Sequence, residues 1–391
     1  MTGFNGNLNG PSEENRLSSG LPNATDDTVD ALYEDVNLRT LNSKTLRQND
    51  GTLKLGTYSF NIHFRSDKGL IEYDNSLLHK DGLYYPTASD CIVAFSDKKP
   101  EYSIKADKTD VAFSFLTDNQ NAPKIETREL KEKEFSSKAE ELFAVSKAKS
   151  QISYNYVDEG VSLVYVLFGA NIKENIVLEK RPKDAFFKFY IKTESEVFID
   201  KDGSIIIDNA VIPHAFMEDS AGNLSTDIKY VLEKAEDGYV LTIEPNRDWL
   251  DSSERAYPVT VDPTFYRDNP STSAFKDAYV KEGNPSYNSG YDSLLHVGND
   301  ANNSSWLKER IYLKVNTLPA LPASSRILNA YIALEQTANG QWYSFSPSSL
   351  STYIVAKKVT SSWSDTSVTW NNQPQIAEMS FDYSGVSAST A

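Results

Sequence analysis

One cysteine, Cys91, stands among 391 residues, so a disulfide within the chain and a metal site built on thiolates are both excluded. The redox compartment stays open, because a cysteine-poor chain suits the cytosol and equally a secreted protein stabilised by large β-cores. Basic residues are also short: 39 Lys and Arg against 55 Asp and Glu leave −16, which argues against polyanions such as DNA, whose phosphates need clustered cations. No apolar run approaches the roughly 18 residues of a membrane span. The best, Val161 to Ala170, is strand-sized. The opening MTGFNGNLNGPSEENRLSSG has neither the basic nor the apolar region of a signal peptide, so either export by that route is absent or Met1 is not the original start. Also missing are a G-x-S-x-G elbow, an H-E-x-x-H pair, a phosphate-cradling glycine loop and histidines at ligand spacing.

What is present is enough to fold. A hydrophobic content of 39%, with 12% aromatics, is too high for a disordered chain, and the length suits two or three domains. Charge divides the chain. Residues 266–391 carry 9 basic and 10 acidic side chains, whereas 1–265 carry 30 and 45, so the first part holds −15 and the second −1. The change falls in Tyr257 to Ser273, YPVTVDPTFYRDNPSTS, where three prolines and a polar run follow a β-like stretch. The expected division is a flexible lead-in at 1–30, an acidic module at 31–265 and a second module at 266–391.

Strand follows strand in both parts. Asp50-Gly51, Asp81-Gly82, Asp202-Gly203, Gly222-Asn223 and Asp237-Gly238 separate short alternating or apolar runs, as hairpins require. In TLKLGTYSFNIHF the apolar parity slips at Gly56-Thr57, which predicts a β-bulge. Cys91 to Phe95, Val161 to Phe168 and Phe186 to Ile191 read as strands covered on both faces. Ser136 to Ser150 predicts a short helix or a mobile connection. Farther on, Leu295 and Val297, then Ile311, Leu313 and Val315, mark one apolar face, with His296, Arg310, Tyr312 and Lys314 on a solvated one.

Candidate chemistry is sparse. His63 and His296 sit at polar strand positions and read as exposed or satisfied sheet residues rather than ligands or bases. Asp200-Lys-Asp-Gly203 lacks the later oxygen ligands of a calcium loop and reads as a hairpin turn. Asn299-Asp-Ala-Asn-Asn303 is an oxygen-rich loop that suits Ca2+ or an ordinary turn; no cofactor or metal is otherwise expected. Trp342 and Tyr343, in the polar loop Gln336 to Ser349, either stack on a sugar ring or plug the end of a sandwich. Tyr287 and Tyr291, beside Asn and Gly, are open in the same way. Trp363 and Trp370 read as core.

The segments NPSYNSGYDSLLHVGN, ERIYLKVNTLP, SSRILNAYIALEQ and SSWSDTSVTWNNQP, in that order, resemble the DNRLRE domain of bacterial and archaeal surface proteins. The earlier NSKTLRQNDGTLKLGTYSFNIHF, IEYDNSL, MEDSAGN, NRDWL and AYPVTVDPT resemble the N-terminal β-region of wall-associated proteins of the Rhs/YD-repeat class. The resemblance implies an all-β chain of two antiparallel β-sandwich modules in tandem, the second jelly-roll-like and cut short at SFDYSGVSASTA. It implies structural roles for Asn288, Gly290, Gly298, Arg310, Trp363 and Trp370. Carbohydrate binding, to cell-wall or host glycans, is assigned to Trp342, Tyr343, Tyr287 and Tyr291. The expected protein is extracellular or cell-wall associated, is not an enzyme, binds no nucleic acid and continues into downstream segments of the same polypeptide. Two alternatives stand beside it: a ligand-free segment presenting an Rhs/YD-repeat shell of a polymorphic toxin, and a glycan-active enzyme built on paired carboxylates.

Overall fold

The computed structural model describes residues 32–106, 109–130, 137–201, 203–221, 223–267, 275–290, 295–299, 307–315, 325–328 and 356–380. The chain is all-β. Its strand pairings are antiparallel, and the described residues contain two short α-helices, Lys138–Phe143 and Arg247–Asp251. The 1–30 lead-in, Trp342, Tyr343, Tyr291, the C-terminal FDYSGVSASTA after Ser380 and most of the Asn299 to Asn303 loop lie outside the described residues.

Two large sheets share one core. The first has eight strands in the order Ile228–Ala235, Gly238–Pro245, Phe187–Lys192, Thr109–Leu116, Glu101–Ala106, Ile92–Ser96, Leu83–Ala88 and Asp74–Lys80. The second has seven: Lys124–Glu129, Lys149–Asp158, Val161–Phe168, Asn171–Leu178, Val259–Asp262, Phe216–Asp219 and Leu224–Ser225. Period-two alternation sends one face of each strand inward. Val111, Phe113 and Phe115 come from one sheet, and Ile152, Tyr154, Leu163, Tyr165 and Leu167 from the other. Aromatic rings tie the layers together. Tyr102 stacks on Phe113 with centroids 4.8 Å apart and meets Tyr165 of the opposite sheet edge-on at 5.0 Å. Such pairs add about 0.5–1.5 kcal/mol each beyond the area they bury.

Asp50-Gly51, Asp81-Gly82 and Asp237-Gly238 join sequential strands, and Asp202 and Gly222 lie outside the described residues. Asp81 and Gly82 both take positive φ, 52° and 81°, the backbone of a two-residue hairpin whose twist matches its strands. Asp200 accepts a hydrogen bond from the Ser204 amide at 3.0 Å within a hairpin between Val197–Ile199 and Ile205–Ile207, in keeping with the turn reading.

Two expectations change. The run TLKLGTYSFNIHF is not a bulged strand: Leu53–Thr57 ends, Tyr58, Phe60 and Ile62 bury themselves in a satellite cluster, and a new strand begins at His63. The parity slip therefore marks a break between sheets. Phe187–Lys192 alternates, with Phe187, Phe189 and Ile191 inward and Lys188 and Lys192 exposed, so it is covered on one face only. Val259–Asp262, inside the expected 31–265 module, pairs on both sides within the seven-stranded sheet. The sandwich then extends to Arg267, which bonds both carboxylate oxygens of Asp90 at 2.5 and 2.9 Å.

A separate small sheet begins at Phe275. Phe275–Lys281 pairs with Lys308–Val315, which pairs with Gly298–Asn299. Its core is Ala278, Val280, Tyr312 and Val368, flanked by Val359, Trp363 and Trp370. Tyr312 departs from the expected solvated face by packing into this core, while Arg310 and Lys314 on the same face are exposed and Ile311, Leu313 and Val315 are half-buried. The reason is Trp363 to Trp370, which lays its own apolar residues against Tyr312.

Candidate functional site

The loop after Phe275–Lys281 and the single 3-10 turn Trp370–Asn372 form one rim of the small sheet. Thr369 caps that turn: its amide donates to Asn372 Oδ1 at 2.6 Å. Two hydrogen bonds join loop to turn, Asn371 N to Pro285 O at 3.1 Å and Asn371 Nδ2 to Ser286 Oγ at 3.2 Å. Deeper in, Asn288 Nδ2 donates to the carbonyls of Asp365 (2.8 Å) and Val368 (2.7 Å), pinning Trp363 to Trp370 against the sheet. Gly290 makes that approach sterically feasible. A Cβ there would lie 2.2 Å from Asp365 O.

Rings and cations alternate along the rim. Lys281 Nζ sits 3.9 Å from the centroid of half-buried Tyr287, and Tyr279 beneath stacks on His296 at 4.6 Å. Arg310 projects to solvent with its guanidinium 4.8 Å from the Trp370 ring and donates from Nη1 to Gln373 Oε1 at 2.8 Å. Tyr312 donates to the same oxygen at 3.1 Å, and burial pushes its phenol up from the ordinary value, so it remains a proton donor. Gln373 Nε2 in turn donates to Trp370 O at 2.9 Å. Asn284, Ser286, Asn371 and Asn372 are exposed beside these rings. Apolar ring surface edged by neutral amides, a hydroxyl and a guanidinium suits a ligand that is apolar on one face and hydroxyl-rich at its edge.

Of the sequence-assigned binding residues, the described structure includes Tyr287, and it lies on this rim. Among the residues assigned structural roles, Asn288 and Gly290 hold the loop, Gly298 takes φ 130° at a short strand, and Trp363 and Trp370 flank the small core. Arg310 does more than extend a strand, because its guanidinium is part of the exposed rim. Sequence reasoning missed Lys281, Asn371 and Gln373. The signal was there in the NNQ that follows Trp370, within a stretch used only to carry a resemblance. Of the two readings of His63, exposed or satisfied, the structure removes the first: it is fully buried, with Nδ1 2.7 Å from Thr40 O. No described helix is long and apolar enough to cross a membrane.

Residues 270–390 match carbohydrate-binding module family 96. The chain is also 28% identical over 250 residues to the tRNA3(Ser)-specific nuclease WapA of Bacillus spizizenii, covering 58% of this chain and 10% of that protein. The tRNA(Glu)-specific nuclease WapA of Bacillus subtilis subsp. natto and the tRNA nuclease WapA of Bacillus subtilis match with the same identity and coverage. The chain spans about a tenth of the length of these curated relatives. No solved structure matches. Together the two kinds of match support a carbohydrate-binding module at residues 270–390 in a chain similar to part of much longer proteins. They also overturn one expectation. The protein was read as not an enzyme, yet the relatives are named as nucleases. That expectation rests on missing motifs and on the resemblance to a non-catalytic region, read from a chain that spans about a tenth of those relatives.

Proposed function

We propose that residues 270–390 bind carbohydrate through the rim of Tyr287, Lys281, Trp370, Arg310 and Asn371, and that the chain serves wall association in a protein of the WapA kind. The observation that carries this reading is the coincidence of the carbohydrate-binding module match with a rim of half-buried rings edged by exposed amides and cations. A near-neutral second part favours an uncharged or weakly charged ligand such as a wall glycan. Separate apolar clusters before Arg267 and after Phe275 support a division into two modules near residues 265 to 275. The finer family assignment, a DNRLRE domain preceded by an Rhs/YD-type N-terminal region, is supported by the ordered segments quoted from the sequence. The relatives' action on tRNA enters here as an activity carried by the same polypeptide, which the acidic sandwich and glycan rim would deliver to or hold at the cell wall.

The test is retention of the full chain on insoluble peptidoglycan and on a glycan array. Wild-type protein is expected to bind, and Tyr287→Ala and Arg310→Ala each to weaken retention about ten-fold or more. Absence of any glycan binding overturns the reading. Binding that survives both substitutions but is lost in Trp342→Ala with Tyr343→Ala moves the site off this rim.

A further inference from the structure

A second cluster lies at the opposite end of the chain, in the small sheets that precede the sandwich. His63 and Glu72 are direct cross-strand partners in the hairpin His63–Ser66 with Gly69–Glu72, so their side chains share a face. Glu34, on the edge strand Tyr33–Glu34, comes to the same face from a different sheet. One ring nitrogen of His63 and one carboxylate oxygen from each glutamate all lie within 4.8 Å of one another. The three residues are separated by 29 and 9 positions in sequence, so no spacing rule flags them.

Two simpler roles are open to these residues. In the first the cluster is an ion-pair network. Arg39 forks onto Glu34 at 2.7 and 2.8 Å and reaches Glu72 at 3.2 Å, while Lys44 reaches the other oxygen of Glu72 at 3.1 Å. That accounts for the carboxylates but not for the imidazole. In the second His63 is a satisfied core residue. Its Nδ1 contacts the Thr40 carbonyl at 2.7 Å, and a carbonyl only accepts, so Nδ1 carries the proton. Nε2 is then buried and has no hydrogen-bond partner among the described residues, in a ring on which Arg39, Glu72 and Glu34 all act electrostatically. A bare lone pair gains nothing from that burial. Leaving a buried polar atom unpaired costs about 1–3 kcal/mol.

A metal-ligating histidine has this same arrangement: one ring N–H donates to a backbone carbonyl, which fixes the tautomer and turns the other nitrogen outward as a ligand. Ligating carboxylates are in turn held by outer hydrogen bonds, the part Arg39 and Lys44 play here. Each carboxylate oxygen has a second lone pair beyond the one a cation holds. Imidazole with two carboxylates is a donor set of borderline hardness, suited to Zn2+ and its congeners rather than to Ca2+, which takes six to eight oxygens. Ligands at about 2.0–2.2 Å from one ion are roughly 3–4.4 Å apart, so rotations of the glutamates suffice to close the observed spacing.

We propose that Glu34, His63 through Nε2, and Glu72 form a binding site for a zinc-class divalent cation, with Thr40, Arg39 and Lys44 orienting the ligands. The site ties the edge strand at Tyr33–Glu34 to the His63–Glu72 hairpin, so its role is to fasten the small N-terminal sheets. Lys44, whose ammonium also donates to the carbonyls of Leu142 and Ala144 at 3.2 and 3.1 Å, links that fastening to the helix Lys138–Phe143. Because two side-chain cations already offset the two carboxylates, affinity is expected to be lower than in an all-anionic site.

The test uses the full chain and Co2+ as the probe, read by its visible d–d absorption, with Zn2+ competition. One equivalent of Co2+ is expected, displaced by Zn2+ and unaffected by millimolar Ca2+. Glu72→Gln keeps the shape and the Lys44 contact at a partly exposed position and is expected to weaken binding about ten-fold or more, as is His63→Gln. His79→Gln, at an exposed histidine bonded to Asp97, is expected to leave binding unchanged. Should His63→Gln fail to fold, Glu72→Gln and the wild-type titration still decide the matter. No stoichiometric Co2+, displacement by Ca2+, or equal binding in wild type and Glu72→Gln overturns the proposal.

Discussion

The sandwich before Arg267 and the small sheet after Phe275 use the same residue types in different balance. In the sandwich Tyr102, Tyr154 and Tyr165 are buried between the sheets, and the Tyr165 hydroxyl donates to buried Glu174 at 3.2 Å, while Tyr156 is exposed and half-buried Trp249 has the Arg255 guanidinium 3.4 Å from its ring centroid. In the small sheet Tyr287 and Trp370 stay half-buried, each beneath a cation. A 12% aromatic content therefore carries no functional information until burial sorts the rings. Where the core is large, aromatic area stabilises; where it is four side chains deep, the rings are left at the rim and are available to a ligand.

The largest expected effect probes the acid buried on the sandwich side. Glu174 lies opposite Tyr165 in the Val161–Phe168 and Asn171–Leu178 pairing, and burial pushes its carboxyl up to about 8 from 4.5, opposed by the Tyr165 hydrogen bond and aided by Asp262. The folded state thus holds a proton that the unfolded chain releases. Stability from this group is fully present below about pH 4.5 and falls as pH rises to about 8, by an amount on the order of 5 kcal/mol at about 1.4 kcal/mol per pKa unit. Denaturant unfolding of the full chain across that window is expected to show the sandwich transition sliding to lower denaturant with pH. Glu174→Gln should flatten the slope; an unchanged slope breaks the assignment, and a slope in the second transition breaks the contrast between regions.

Next comes the core itself. Leu163→Ala removes a fully buried side chain from the seven-stranded sheet and is expected to cost the sandwich about 2–5 kcal/mol, read as a shift in its denaturation midpoint with unchanged m. Val280→Ala removes two buried methyl groups from the small core, worth about 1.6 kcal/mol. It should shift only the transition of the small sheet, reported by Trp363 and Trp370 fluorescence. If both substitutions move one common transition, the two regions unfold as a unit and the comparison loses its basis.

Much of the sandwich was readable in the sequence because it is built from local signals. Hairpin turns need positive φ and so need Gly or Asp, as at Asp81-Gly82, and half-buried strands alternate. What escaped depended on which distant segment covers a face. Nothing in ERIYLKV says that Tyr312 is buried between exposed Arg310 and Lys314; that is decided by Trp363 to Trp370, some fifty residues on. The rim was half visible for the same reason: Tyr287 stands out beside Asn and Gly, whereas Lys281 and Asn371 matter only once loop and turn meet. Glu34, His63 and Glu72 were invisible, because their convergence is a property of two sheets meeting.

The smallest expected effect is the most discriminating for function. Arg310 is exposed, so losing its contact with Trp370 should cost the small sheet only about 0.5–1 kcal/mol. Its bond to Gln373 is one of two converging on that oxygen, and Tyr312 keeps the other. Arg310→Lys retains charge but not the planar fork that bridges ring and amide. If Arg310 serves the fold alone, Arg310→Lys and Arg310→Ala should lower the small-sheet midpoint slightly and leave glycan retention in proportion to folded protein. If it serves the rim, retention should fall well beyond that proportion in both variants while the midpoint hardly moves. That separation of retention from stability has no counterpart in the sandwich, where Leu163→Ala can lower retention only by unfolding the chain.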